Sequence, residues 1–131
     1  MDHQSLVQSV CDQALQLIKS SSNKLRPLKF RPMIRKNDRV NTRQGYIIGR
    51  TNLKTGLITI DIFTPKFRKP KAITSILRIL AHEIAHHQKP PYRSRFRHKT
   101  IIRRHYPAFY KQVNKNILKF KNDRHLSSLF K

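Results

Sequence analysis

One cysteine, no tryptophan, three glycines and six acidic side chains stand against 29 lysines and arginines in a chain of 131 residues. Each shortage excludes something. Cys11 alone forms no intrachain disulfide and supplies no cysteine-based zinc ribbon. The longest apolar stretch, Ile76 to Ala85, is interrupted by Arg78, His82 and Glu83, far short of the roughly 20 residues that a membrane-spanning helix needs. Asp2 and Gln4 open a short amphipathic run, which lacks the basic and then apolar build of a signal peptide. There is no internal repeat and no low-complexity tract. At roughly 150 residues per domain, residues 1–131 read as one domain of a cytoplasmic, soluble, monomeric protein with no membrane partner.

The lack of acid leaves a formal net charge of +23. It is unevenly spread: residues 1–23 hold Asp2, Asp12 and Lys19 and sum to −1, so residues 24–131 carry +24. Such a charge on the body of a domain attracts polyanions. Two stretches concentrate it. One holds Lys66, Arg68, Lys69 and Lys71; the other holds Arg93, Arg95, Arg97 and Lys99, interleaved with Tyr92 and Phe96. Cations with interleaved aromatics suit phosphate contact and base stacking, so DNA or RNA is an expected partner and a nucleoid-associated location an expected setting.

The apolar spacing predicts the elements. Leu6, Val10, Ala14, Leu17 and Ile18 recur at helical intervals between Ser5 and Ile18. Leu28 to Arg35 alternates as a strand, edge-like because of Pro32. Tyr46 to Gly49 and Leu57 to Phe63 read as an antiparallel hairpin across a loop ending in Gly56. Ala72 to Gln88 is a buried helix stopped by Pro90 and Pro91. A basic connector leads to a third helical region, roughly Arg97 to Lys119, with a break or new start at Pro107. The expected fold class is α+β: an N-terminal helix, about three antiparallel strands, a central helix and a C-terminal helix.

The single glutamate marks the chemistry. His82-Glu83-Ile84-Ala85-His86 has the pattern H-E-x-x-H within the predicted buried helix. Random placement of these residue types gives the pattern on the order of 0.3% of the time, so chance is a poor account of it. Residues four apart project from one helix face, so both imidazoles reach one metal ion. A zinc ion bound by three protein ligands keeps a fourth position for water, and Glu83 lies where it can take that water's proton. No other glutamate exists to serve as third ligand. The downstream side chains offer His98 first, after a Pro-Pro turn, then His105, with an Asp or a water-bridged Ser94 behind them; His87 points about 100° away from His86.

This order of elements around His82-Glu83-x-x-His86 resembles the minimal zinc-peptidase core of the SprT-like and WLM metallopeptidases, over roughly residues 5–120. The resemblance implies a zincin-like fold, one catalytic Zn2+, His82 and His86 as ligands, Glu83 as general base and His98 as third ligand. It implies a protein or peptide substrate, hydrolysed by metal-activated water and, as with SprT-like proteases, bound to nucleic acid. Lys99 and Ile102 stand where that family commonly has a glycine and an aromatic after the third histidine, and the family's cysteine-rich ribbon is lacking. Leu57 to Phe63 would be the strand that pairs with an extended peptide, and Tyr92, Tyr106 and Tyr110 are candidate oxyanion donors. The competing expectation is a basic nucleic-acid-binding protein whose metal site is structural or vestigial.

Overall fold

The computed structural model describes residues 2–22, 24–35 and 47–130. Its elements run α1 (His3–Ser20), β1 (Lys29–Pro32), β2 (Gly49–Thr51), β3 (Leu57–Ile60), α2 (Ile73–Gln88), β4 (Tyr92–Phe96), β5 (Lys99–Arg103), α3 (Pro107–Asn122) and a 3-10 turn at Ser127–Phe130. The class is α+β, as the alternation of helical and strand spacings predicts.

Helix α1 starts where the Asp2 carboxylate accepts a 2.7 Å hydrogen bond from the Ser5 N–H, a side-chain cap for an orphan donor. Its stripe of Val7, Val10, Cys11, Ala14, Leu15 and Ile18 is buried. Burial pushes the Cys11 thiol well above its ordinary pKa, so this cysteine packs and does not react. Helix α2 contributes Ile76, Leu77, Leu80, Ala81, Ile84 and Ala85 to the same cluster. It is the central element, in contact with α1, β2, β3 and α3.

The sheet order is β1-β3-β2. β2 pairs antiparallel with β3, Gly49 opposite Ile60, but β1 runs parallel to β3, Lys29 opposite Leu57. The expectation of antiparallel strands therefore holds for one pairing only. A parallel neighbour needs a crossover of a dozen or more residues, and the 24 residues between Pro32 and Leu57 provide it. Tyr46, where the second strand was expected to begin, lies outside the described residues, and β2 starts at Gly49. Ile58 and Ile60 enter the core, while Thr59 receives a 3.3 Å hydrogen bond from Arg50 Nε on the other face.

The region after α2 differs most from expectation. Residues 92–103 are an antiparallel hairpin, Tyr92 opposite Arg103 and Phe96 opposite Lys99, and not the start of a helix. Its turn is Arg97-His98 with φ of 50° and 64°. Two left-handed residues make a tight hairpin turn, which glycine or asparagine usually signals; neither is present. Helix α3 begins at Pro107, whose fixed φ suits the first helical position. Buried Asn116 ties α3 to α2: its Nδ2 donates to the Ala81 carbonyl (3.1 Å) and to Gln88 Oε1 (2.8 Å), and its Oδ1 accepts from Gln112 Nε2 (3.0 Å). No helix among the described residues is long and apolar enough to cross a membrane.

Candidate metal centre

The apolar stripe of α2 fixes where its polar face goes. With Leu80, Ala81, Ile84 and Ala85 turned inward, His82 and His86 lie half-buried at the margin, one helical turn apart, with ring centroids 5.0 Å apart. The third corner comes from the segment between β5 and α3. The His105 ring is 5.2 Å from that of His82 and 5.0 Å from that of His86, and each residue offers a ring nitrogen within 4.8 Å of the others. Nitrogens on a tetrahedral ion with bonds of 2.0–2.1 Å sit about 3.3 Å apart. The trio is therefore grouped closely enough that it could hold a metal ion.

Two devices hold His105 there. The Tyr106 hydroxyl donates a 2.9 Å hydrogen bond to the Pro90 carbonyl just beyond α2, and the Tyr92 ring meets Tyr106 edge-on at 4.9 Å. The base of the hairpin is thus fastened just beyond the end of α2. Beneath the trio lies Phe109, fully buried in the first turn of α3, with its ring 5.0, 4.6 and 5.2 Å from those of His82, His86 and His105. Among the described residues none of the three imidazoles has a hydrogen-bond partner, so their nitrogens are open to an ion.

Electrostatics favour the neutral form of His82 and His86. Burial, and then the proximity of His105, lower the pKa of His82; burial, followed by His82, His105, His87 and Arg104, lowers that of His86 to about 4. His87 leaves the cluster and bonds to Thr51 Oγ1, joining α2 to β2. Burial also lowers its pKa, with Arg26 adding to the effect.

Glu83 sits on the adjoining side of α2 and is only 6% exposed. Its wall is a glycine. A Cβ on Gly49 would lie 2.9 Å from Ile79 Cγ2 and 3.3 Å from Glu83 Oε1, so β2 can approach the carboxylate this closely only without a side chain. No hydrogen bond reaches Glu83 from the described residues, and burial pushes its pKa up to about 7. A carboxyl group held near neutrality accepts and releases a proton readily at physiological pH. Glu83, the three histidines, Arg50 and Arg104 all line one cleft of about 340 Å³ between β2, α2 and the hairpin base.

The other sequence-predicted residues are placed elsewhere. His98, ranked first as third ligand, occupies the exposed hairpin turn, and five residues of strand at about 3.3 Å each separate it from the base; the alternative, His105, joins His82 and His86. β3 is the central strand, so Leu57 to Phe63 cannot present a free edge, and β2, the outer strand among the described residues, lines the cleft. The Tyr106 hydroxyl is committed to Pro90, Tyr92 packs on Tyr106, and Tyr110 stacks on His105 at 6.1 Å. Arg68 is engaged by Asp61 through contacts of 2.8 and 3.0 Å, and Lys71 donates to the Asp61 carbonyl at 2.8 Å. Lys66 and Lys69 stand over the exposed Phe67 ring, 5.4 and 6.0 Å from its centre. Arg93, Arg95, Arg97 and Lys99 are exposed on the hairpin.

Sequence reasoning missed Gly49, Arg104 and Phe109. An isolated glycine in a strand pattern signals close approach of another group, so Gly49 was findable; Phe109 looks like any core aromatic. Comparison with protein families, curated proteins and solved structures gave no match.

Proposed function

We propose that this chain is a zinc-dependent peptidase with a zincin-like core of the SprT and WLM kind. The observation that carries the reading is the meeting of His82, His86 and His105 with the carboxyl group of Glu83 in one cleft. When bound, zinc supplies a Lewis acid that acidifies water and polarises a carbonyl. His82, His86 and His105 would hold the ion through their ring nitrogens. Glu83 takes the proton of the attacking water and passes it to the departing amine as the C–N bond breaks, a role suited to its raised pKa. Phe109 keeps the underside of the site dry and braces the rings. Among the described residues β2 is an edge strand beside the cleft, and its backbone groups suit an extended peptide, which favours a peptide over a small compact substrate. Arg104, on the cleft wall, is available to an oxygen that gains charge.

Metal analysis of tag-free protein, paired with cleavage of an unfolded protein substrate, tests the reading. One zinc per chain is expected, with Glu83→Gln retaining the metal and abolishing hydrolysis. Protein that neither contains nor binds zinc, or cleavage that survives Glu83→Gln, overturns it.

A further inference from the structure

The hairpin β4–β5 buries almost nothing. Along both strands only the central residues, Ser94 and Ile101, are half-buried, and the other eight are exposed. Isolated two-stranded hairpins are marginal in water, and this one leaves Tyr92, Phe96 and Ile102 about half exposed. Its charge is one-sided: Arg93, Arg95, Arg97, Lys99, Arg103 and Arg104 lie within thirteen residues that contain no acid.

The register sorts these side chains. Arg93 pairs with Ile102 and Arg95 with Thr100, so these four share one face, and every one of them is exposed. The opposite face carries Tyr92 with Arg103, half-buried Ser94 with Ile101, and Phe96 with Lys99; Tyr92 is turned to Tyr106. The ribbon meets the rest of the fold chiefly where Tyr92 touches Tyr106 at its base, and the Arg93–Arg95 face presents two arginines to solvent. At the tip the Arg97 guanidinium lies over the Phe96 ring, 5.2 Å from its centre.

We propose that this hairpin is a nucleic-acid-binding arm that enters the major groove of duplex DNA. A two-stranded ribbon fits that groove, which is about 12 Å wide and about 8.5 Å deep, and strands of about 17 Å laid along it turn the Arg93–Arg95 face to the floor and bring the tip out at the phosphates. Arg93 and Arg95 face base edges, where arginine pairs with guanine O6 and N7; Arg97 at the tip and Arg103 and Arg104 at the base lie against the backbones. The absence of acid favours a polyanion over a protein groove, where charge of both signs is usual. The arm's binding does not depend on the cleft being a peptidase.

Equilibrium binding of the full chain to a fluorescent 20-base-pair DNA duplex and to a single strand of equal length, across a salt series, tests the proposal. The arm variant R93A/R95A/R97N keeps a left-handed-tolerant residue in the turn, and K29A/R31A/K54A removes equal charge on and beside the outer sheet face. The wild type is expected to prefer the duplex. The arm variant should bind it at least tenfold more weakly, with a salt slope smaller by roughly 0.9 per lost phosphate contact, while the sheet variant changes little. Circular dichroism and zinc content, unchanged in both variants, establish that the fold is intact. Equal losses in the two variants, preference for the single strand, or no binding at low salt overturns the proposal.

Discussion

Gly49 and Glu83 face each other across the gap between β2 and α2, and the space a Cβ would occupy lies 3.3 Å from the carboxylate oxygen. Gly49→Ala therefore pushes on Ile79 and on the proposed base. Overpacking of this kind costs about 1–3 kcal/mol, and misplacement of a reacting group lowers turnover steeply. The expected result is hydrolysis reduced at least about tenfold with zinc stoichiometry unchanged, measured by steady-state kinetics beside metal analysis. Unaltered turnover would remove Gly49 from the account.

The two candidate third ligands separate cleanly. His105→Ala is expected to lose zinc or bind it at least about 100-fold more weakly, whereas His98→Ala keeps wild-type affinity, because His98 sits at the far end of the hairpin. Competition with a chelating dye reads the difference. Comparable loss in both variants would contradict the grouping.

Phe109 supports all three rings from below. Removing so large a buried side chain costs about 3–5 kcal/mol, and residues behind metal ligands commonly set affinity by about 10–100-fold. Phe109→Leu keeps most of the volume, so zinc affinity should fall while most of the stability remains. Thermal melts and zinc titration of that variant distinguish support of the rings from simple core filling.

Asp61 is 1% exposed and holds Arg35 Nε at 2.8 Å, both terminal nitrogens of Arg68 and the Phe63 N–H. Burial alone would raise its pKa; the hydrogen bonds from Arg68, Arg35 and Phe63 outweigh burial and hold it below the ordinary carboxylate value. The unfolded chain thus binds the proton at higher pH than the folded one. Its contribution to stability is full above the unfolded pKa of about 3.9 and fades as pH falls through the lower folded value. Denaturant titrations from pH 6 to pH 2 should show this loss, and Asp61→Asn should flatten it while costing about 3 kcal/mol near neutrality.

The turn Arg97-His98 adopts a backbone that glycine and asparagine favour. Replacing the pair by Asn-Gly is expected to stabilise the hairpin by about 1–2 kcal/mol, seen as slower hydrogen exchange of the β4 and β5 amides. Zinc binding should be untouched.

These turn residues also show where sequence reasoning stopped. The apolar spacing of α1 and α2, the stop at Pro90-Pro91 and the H-E-x-x-H face are local properties, and the structure has them where the spacing predicts. The hairpin was hidden because its turn is strained and its strands are basic, not apolar. Without the hairpin the chain after Pro91 seems to return at His98; with it, the return falls at His105. The parallel pairing of β1 with β3 is a choice of neighbours 28 residues apart, which period-two alternation cannot express, and so the edge beside the cleft was assigned to the wrong strand.

The hairpin also lies wholly within the eighteen residues between His86 and His105. An ion shared by those two side chains would be a removable cross-link around the arm. Closing a loop of about this length takes on the order of 3 kcal/mol of freedom from the unfolded chain, an entropic staple that a chelator undoes. Whatever seats the arm and whatever fills the metal site would then act on one closed loop, and any effect of one on the other's affinity would be returned by the same factor.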